Sequence, residues 1–227
     1  MGHEYAVRLV SLLTENRNEE NREAMENYMR NQFQFFGIKT PEWNALMREF
    51  LKENGKPPVE ELTEIVRTLW DQPQRECQYA AMTLLDKQAK QLTREHLPLL
   101  EEMVLTKSWW DTVDHISPHL AGRIHEKENA DDYLEKWIQA EDFWLNRTSI
   151  LHQLRYKEKT DESRLFRYIL MHNESKEFFI QKAIGWALRE YSKTNPEAVR
   201  KFIESENLAP LSKREGLKHI KRLEKVK

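Results

Sequence analysis

The chain has 227 residues, 39% hydrophobic and 33% charged, with only 6 Gly and 8 Pro; this suits amphipathic helices better than a tight-turned sheet, and the length allows a substantial core. Its 36 Lys and Arg against 38 Asp and Glu leave a net charge of −2, so the whole molecule gives no sign of a polyanionic partner. The single Cys77 excludes an internal disulfide and a multi-cysteine zinc site, which fits a reducing compartment.

From the N-terminus onward, apolar residues recur at helical spacing. MGHEYAVRLV carries no signal-peptide pattern, and no run nears the roughly 18 apolar residues that span a bilayer, so a soluble cytoplasmic protein is expected. The series Met25, Tyr28, Met29, Phe33 and Phe36 predicts one buried stripe on a helix through 20–36. Leu62, Ile65, Val66 and Leu69 predict another, and Cys77 reads as a small core residue. Prolines 41, 58, 73, 98, 196 and 210 stand at or just before the starts of such segments, where a first helical turn tolerates them. About a dozen short helices follow from these start signals, and no alternating strand.

The helices repeat. Ser108-Trp109, Phe143-Trp144 and Phe178-Phe179 open successive helices at a spacing of 35 residues, and WLNRTSILHQLRY (144–156) runs parallel to FIQKAIGWALREY (179–191). One step back, QREC begins another helix at Gln74. A period of this size marks stacked helix pairs. The Trp, Gly, Tyr and Pro pattern of tetratricopeptides is missing, so HEAT-like or armadillo-like pairs in one domain, residues 1–227, are expected. From Lys176 to Lys227 there are 13 Lys and Arg against 7 Glu, net +6. That local excess fits a phosphate-facing surface, or a solvated basic tail.

The segment LTKSWWDTVD (105–114) raises the question of chemistry. In a helix, Trp110 and Asp114 share a face while Trp109 points about 100° away into the packing. Ser108 and Asp111 have the spacing of a capping box, with Asp in place of Glu. Asp114 then either pairs with a neighbouring base as an ordinary surface acid or carries chemistry. The same repeat position offers Trp144 with Arg147, and then Lys182 with Trp186. Aromatic faces attract desolvated cations, and an Arg holds a nearby carboxylate ionised. Arg147 as a plain ion-pair partner and Trp186 as core remain equally open on composition. His115 and His119 have helical metal-ligand spacing, but Pro118 interrupts them and no further ligand completes a zinc signature, so no metal is expected. GxGxxG, GxxxxGK[ST] and GxSxG are absent from the sequence, which removes dinucleotide binding, P-loop phosphoryl transfer and a hydrolase elbow.

The strings LTKSWWDTVD, WLNR, SKEFFIQKAIGWALREYSKTNP and LAPLSKREGLKHI, with YMRNQFQFFGIKTPE (28–42) and LWDQPQRE (69–76), closely resemble the AlkD-like family of bacterial alkylpurine DNA glycosylases. The resemblance spans nearly the whole chain. It implies an all-α superhelical solenoid of HEAT-like repeats whose concave face cradles duplex DNA. The implied activity is cofactor-free excision of positively charged 3-methyladenine and 7-methylguanine, leaving an abasic site and using no deep base pocket. By the same resemblance the essential aspartate falls on Asp114, the active-site tryptophans on Trp110 and Trp186, the cleft arginine on Arg147 and a DNA-facing tyrosine on Tyr28. Lys182, Lys213, Arg214 and Lys218 complete the expected DNA-binding set. The expected protein is a nucleoid-associated bacterial monomer acting on alkylated duplex DNA, without membrane or metal. The competing reading is a non-catalytic helical-repeat module that binds DNA structures or a protein partner.

Overall fold

The computed structural model describes residues 2–225. They form helices joined by short turns, and the nearest approach to a sheet is an isolated bridge between Gln34 and Gln74. The all-helical class read from the sequence therefore holds. No helix among the described residues is long and apolar enough to cross a membrane. The chain divides into two compact units, Met1–His96 and Leu97–Lys227.

The first unit contains α1 (Gly2–Glu15), α2 (Glu19–Tyr28), α3 (Thr40–Asn54), α4 (Val59–Trp70) and α5 (Arg75–Lys87). Helix α4 packs against both α1 and α5. Its stripe Leu62, Ile65, Val66 and Leu69 is fully buried, as the spacing required, together with Leu9 and Leu13 of α1 and Cys77, Leu84 and Leu85 of α5.

The helix expected through 20–36 stops at Tyr28. Arg30 and Asn31 adopt left-handed φ values of 55° and 54°, and the Asn31 amide closes back onto the Glu26 carbonyl at 2.8 Å. Beyond the turn, the Glu76 carboxylate accepts the backbone N–H groups of Phe36, Gly37 and Ile38 at 2.9–3.2 Å. Three donors held by one acid leave residues 36–38 nothing to give to a helix. Gly37 is required there, because its φ is +87° and a Cβ would lie 2.0 Å from the Asn18 carbonyl oxygen. Burial pushes the Glu76 carboxyl upward, and the three amides offset part of that shift.

The second unit runs through α6 (Leu97–Leu105), α7 (Trp110–Ile116), a π-turn (Ser117–Ala121), α8 (Gly122–Glu128), α9 (Asp131–Ile138), α10 (Phe143–Leu151), α11 (Glu162–Met171), α12 (Phe178–Tyr191), α13 (Pro196–Ser205), α14 (Pro210–Gly216) and α15 (Lys218–Glu224). Pro118 does not break the chain between His115 and His119. The π-turn takes up the missing N–H, so the two imidazoles stack with centroids 4.6 Å apart. Helix α10 ends at Leu151, short of Tyr156, whereas α12 does reach Tyr191; the parallel strings differ in their last turn.

The repeat is visible in the helix starts. Thr40, Arg75, Trp110, Phe143, Phe178 and Pro210 each open a helix, at steps of 32–35 residues. One residue type marks the register. Three residues into α5, the Gln78 amide donates to the carbonyls of Leu69, Trp70 and Gln72. Three residues into α10, the Asn146 amide donates to those of Trp137, Ile138 and Ala140, at identical sequence separations. Gln181, three residues into α12, donates to Ser175 at 3.0 Å. The first two amides satisfy carbonyls left open at and just past the end of the preceding helix, and Gln181 ties down the connection that leads into its own helix.

Gln78→Ala and Asn146→Ala should each cost about 1–3 kcal/mol, because the freed carbonyls are left without partners in buried positions. Urea unfolding measures both. A cost near zero for either would mean that the amide closes nothing that water does not replace.

Candidate active site

The site grows out of one position of the repeat. Asp114, Arg147 and Lys182 are each the fifth residue of their helix, in α7, α10 and α12. On α7 and α10 this position makes a direct ion pair. Arg147 Nε donates to Asp114 Oδ1 at 2.7 Å and Nη2 to Oδ2 at 2.9 Å, a two-pronged fork of the kind that guanidinium geometry favours. The remaining nitrogen, Nη1, donates to the Phe179 carbonyl in the first turn of α12. One side chain thus ties three successive repeat helices together.

Burial sets the electrostatics. The Arg147 side chain is 4% exposed and that of Asp114 19%. Desolvation pushes the Asp114 carboxyl above its ordinary value; Arg147 pulls it back, and Asp111 in the preceding turn adds a smaller upward push. A carboxylate has about four lone-pair positions. Arg147 occupies two, and the Asp114 side chain remains partly exposed.

Aromatic rings wall this pair. Trp109 lies 6.1 Å from Trp144 and 5.4 Å from Phe179 between ring centroids, and Trp144 lies 4.8 Å from Phe179. Arg147 stands 5.9 Å from the Phe179 ring. Phe178, 54% exposed, packs edge-on against Phe179 and carries the cluster to the surface. The packing role expected for Trp109 is met. The capping box is not: Ser108 Oγ donates backward to the Val104 carbonyl at 2.6 Å, and Trp109 is the N-cap of α7, without a side-chain bond. Lys107 in the left-handed region and Trp109 in extended backbone move the helix start one residue past the position the spacing suggested.

The remaining expected residues fall in three places. Trp110 opens α7 one turn before Asp114, half-buried, and Trp186 is half-buried on α12. Tyr28 ends α2 in the first unit, 72% exposed. Lys182 and Lys218 both turn to Glu215 of α14, at 3.5 and 2.7 Å, and Arg189 joins them at 3.5 Å. Lys213 is half-buried and Arg214 exposed on the same helix.

Glu215 and Arg189 escaped the sequence reading. The hydrogen bond from Lys218 holds the Glu215 carboxyl below the usual range, so three cations are ordered about one fixed negative charge. The available signal was a pair of helical glycines. A Cβ on Gly185 would lie 2.4 Å from Glu215 Cβ, and one on Gly216 would lie 3.1 Å from Leu188 Cβ. Only glycine lets α12 and α14 approach so closely.

Arg147→Met should cost about 3–5 kcal/mol at neutral pH, because it strands a buried carboxylate and an unpaired carbonyl. Since the Asp114 pKa is raised, the ionised carboxyl is the form that burial penalises. The cost should therefore shrink as pH falls and Asp114 takes up a proton. Urea unfolding at neutral and acid pH measures this; equal stability of variant and wild type at both would make the pair incidental.

The family described as DNA alkylation repair enzyme matches residues 9–220 of the chain. A solved structure described as a predicted DNA alkylation repair enzyme from Enterococcus faecalis is similar at 36% sequence identity and a TM-score of 0.81, over 90% of this chain and 96% of that one. Among curated proteins no sequence match is found. With nearly the whole repeat array matched in sequence and in fold, the chain belongs to the DNA alkylation repair enzyme family.

Proposed function

We propose that the protein is a monofunctional DNA glycosylase that hydrolyses the N-glycosidic bond of N3- and N7-alkylated purines, 3-methyladenine and 7-methylguanine, in duplex DNA. The observation that carries this reading is the partly exposed Asp114 carboxylate, fixed on both oxygens by a buried Arg147. A residue needed only for surface charge would not be held so tightly.

The chemistry follows from the substrate's own charge. Alkylation at N3 or N7 makes the purine cationic and a good leaving group, so the bond breaks with oxocarbenium character at the sugar. A carboxylate already fixed in place and partly stripped of water stabilises that developing cation without reorganising, and its open lone pairs orient the attacking water. Arg147 acts as a positioning residue, holding Asp114 in one rotamer. Trp110 and Trp186 offer ring faces to the cationic sugar and base, worth up to about 2 kcal/mol each when desolvated. The phosphates are met by Lys182, Arg189 and Lys218 around Glu215, with Lys213, Arg214 and Tyr28 as further contacts. No cofactor or metal enters the scheme.

Asp114→Asn should abolish release of 7-methylguanine from methylated duplex while leaving DNA affinity within a few-fold, in a base-release assay paired with fluorescence anisotropy. Full activity in that variant would remove the mechanism and favour a binding module. Trp110→Ala and Trp186→Ala should lower release by less, on the order of tenfold each for a lost cation–π contact.

The reaction needs ionised Asp114, and its pKa is raised by burial. The acid limb of the rate profile, corrected for spontaneous depurination, should therefore lie above the ~3.9 of an ordinary aspartate. A limb at or below that value would separate the rate-controlling group from Asp114.

A further inference from the structure

Three consecutive backbone N–H groups cross the connection between α8 and α9, and each meets a different acceptor. That of Asn129 donates to the His125 carbonyl at 3.0 Å, and that of Asp131 to Asn129 Oδ1 at 2.9 Å. Between them, the Ala130 N–H donates to His125 Nδ1 at 2.9 Å. Ala130 is 1% exposed, so its amide depends on that one acceptor. Of the three acceptors only the imidazole takes up a proton near neutral pH.

A second donor meets the other side of the ring. Arg164 Nη1 of α11 lies 2.7 Å from His125 Nε2, and a guanidinium only donates. A neutral imidazole has one N–H and one lone pair, so it can accept from one of these two donors and not from both. Asp131 decides which. Its Oδ1 lies 3.7 Å from His125 Nε2 and 2.6 Å from Arg164 Nη1, placed to take hydrogens from both, whereas the neighbour of Nδ1 is itself a donor. The ring proton therefore belongs on Nε2, and the Nδ1 lone pair receives the Ala130 amide.

A second proton has only Nδ1 to go to, where it would face the Ala130 N–H across 2.9 Å. The surroundings add to that conflict. Burial first, and Arg164 second, hold the ring below its ordinary value, against the smaller pull of Asp131 on α9 and Asp161 at the start of α11. The chain after α10 contributes the rings of His152 and Tyr156, at 5.3 and 6.4 Å; His152 is enclosed, pushed down to about 3, and stays neutral. On α8 itself, Glu126 pairs with Lys159 at 2.7 Å, and Lys127 with Glu128 at 3.1 Å. We infer that His125 is an acid-opened latch on the α8–α9 connection: a proton arriving at Nδ1 displaces the Ala130 amide and releases residues 129–131, while both flanking helices stay docked. Two bonds confine the opening. Tyr156 Oη donates to the Gly122 carbonyl at 2.5 Å at the start of α8, and the Asn146 amide takes the carbonyls of Trp137 and Ile138 at the end of α9. Neither involves a group that titrates near neutral pH.

The closed latch holds the neutral ring, so it is fully stable above the ~6.5 of an ordinary histidine and weakens as pH falls from there toward the lowered value of the closed state. Amide exchange measured by NMR on the full chain, from neutral to about pH 5 and corrected for the intrinsic pH dependence of exchange, tests this. Protection of the Ala130 N–H should fall below about pH 6.5, by up to about tenfold for each pH unit. That of Ile138, at the far end of α9, should hold. His125→Asn sets a non-titrating oxygen where Nδ1 stands, and there the Ala130 amide should stay protected over the same range; an unchanged thermal midpoint at neutral pH verifies folding. Unchanged Ala130 protection down to about pH 5 in the wild type would overturn the inference, whether or not the variant folds. An equal loss in a folded Asn variant would overturn it too, by placing the trigger on another group, and so would a simultaneous loss at Ile138, which is general acid unfolding. The measurement uses no DNA and is independent of base release.

Discussion

The second unit turns on a single buried guanidinium. Arg147 cannot lie 4% exposed unless its donors find acceptors, since an unpaired charge in that setting costs several kcal/mol. Its acceptors come from the helices before and after its own: the two oxygens of Asp114 and the carbonyl of Phe179. Stacked repeats usually cohere through apolar faces that can slide by a fraction of a turn. A fork with fixed donor directions cannot slide. The same bonds that set the register of α7, α10 and α12 therefore set the position of the carboxylate, and the fold and the site share one constraint.

Around that fixed point the unit sorts its charges by depth. Asp142 caps α10 through the amides of Trp144 and Leu145, and Glu177 caps α12 through that of Phe179. These helix starts are therefore already supplied with negative charge and are poor seats for phosphate. The cations sit further along. Lys182, Arg189 and Lys218 surround Glu215, whose side chain is only 7% exposed. A buried acid ringed by partly exposed bases presents a net positive surface whose geometry is held from beneath. The family's concern with DNA finds a physical counterpart in that arrangement.

What the sequence revealed, and what it hid, follows from the range of the forces involved. The stripe on α4, the burial of Cys77 and the repeated helix starts depend on neighbours three to four residues apart or on a period, and all were legible. So was the coincidence of Asp114 and Arg147 at one repeat position. The fork between them was not, because position in a repeat does not specify side-chain direction. The end of α2 was misread because Arg30 and Asn31 turn left-handed just after Tyr28, and because the amides of residues 36–38 farther on are claimed by Glu76, about 40 residues away. The capping box at Ser108 failed because a left-handed Lys107 shifted the helix start by one residue, enough to exchange every capping partner. Lys182 and Lys218 were read as DNA contacts without their shared partner Glu215, since nothing local announces an acid brought near by two glycines.

The Glu76 arrangement also bears on how the chain tolerates change. Most connections between helices lengthen or shorten at little cost, because they run over the surface and owe nothing to a particular partner. The connection from Tyr28 to α3 is different at its far end: three consecutive amides meet one carboxylate, and Gly37 passes the Asn18 carbonyl with no room for a methyl group. An inserted or deleted residue at 36–38 would turn at least one amide away from Glu76 and leave the acid buried with fewer donors. An added or lost residue is accommodated more readily at the exposed turn at residues 30–32, where Arg30 and Asn31 already depart from helix, than in the anchored half of the connection.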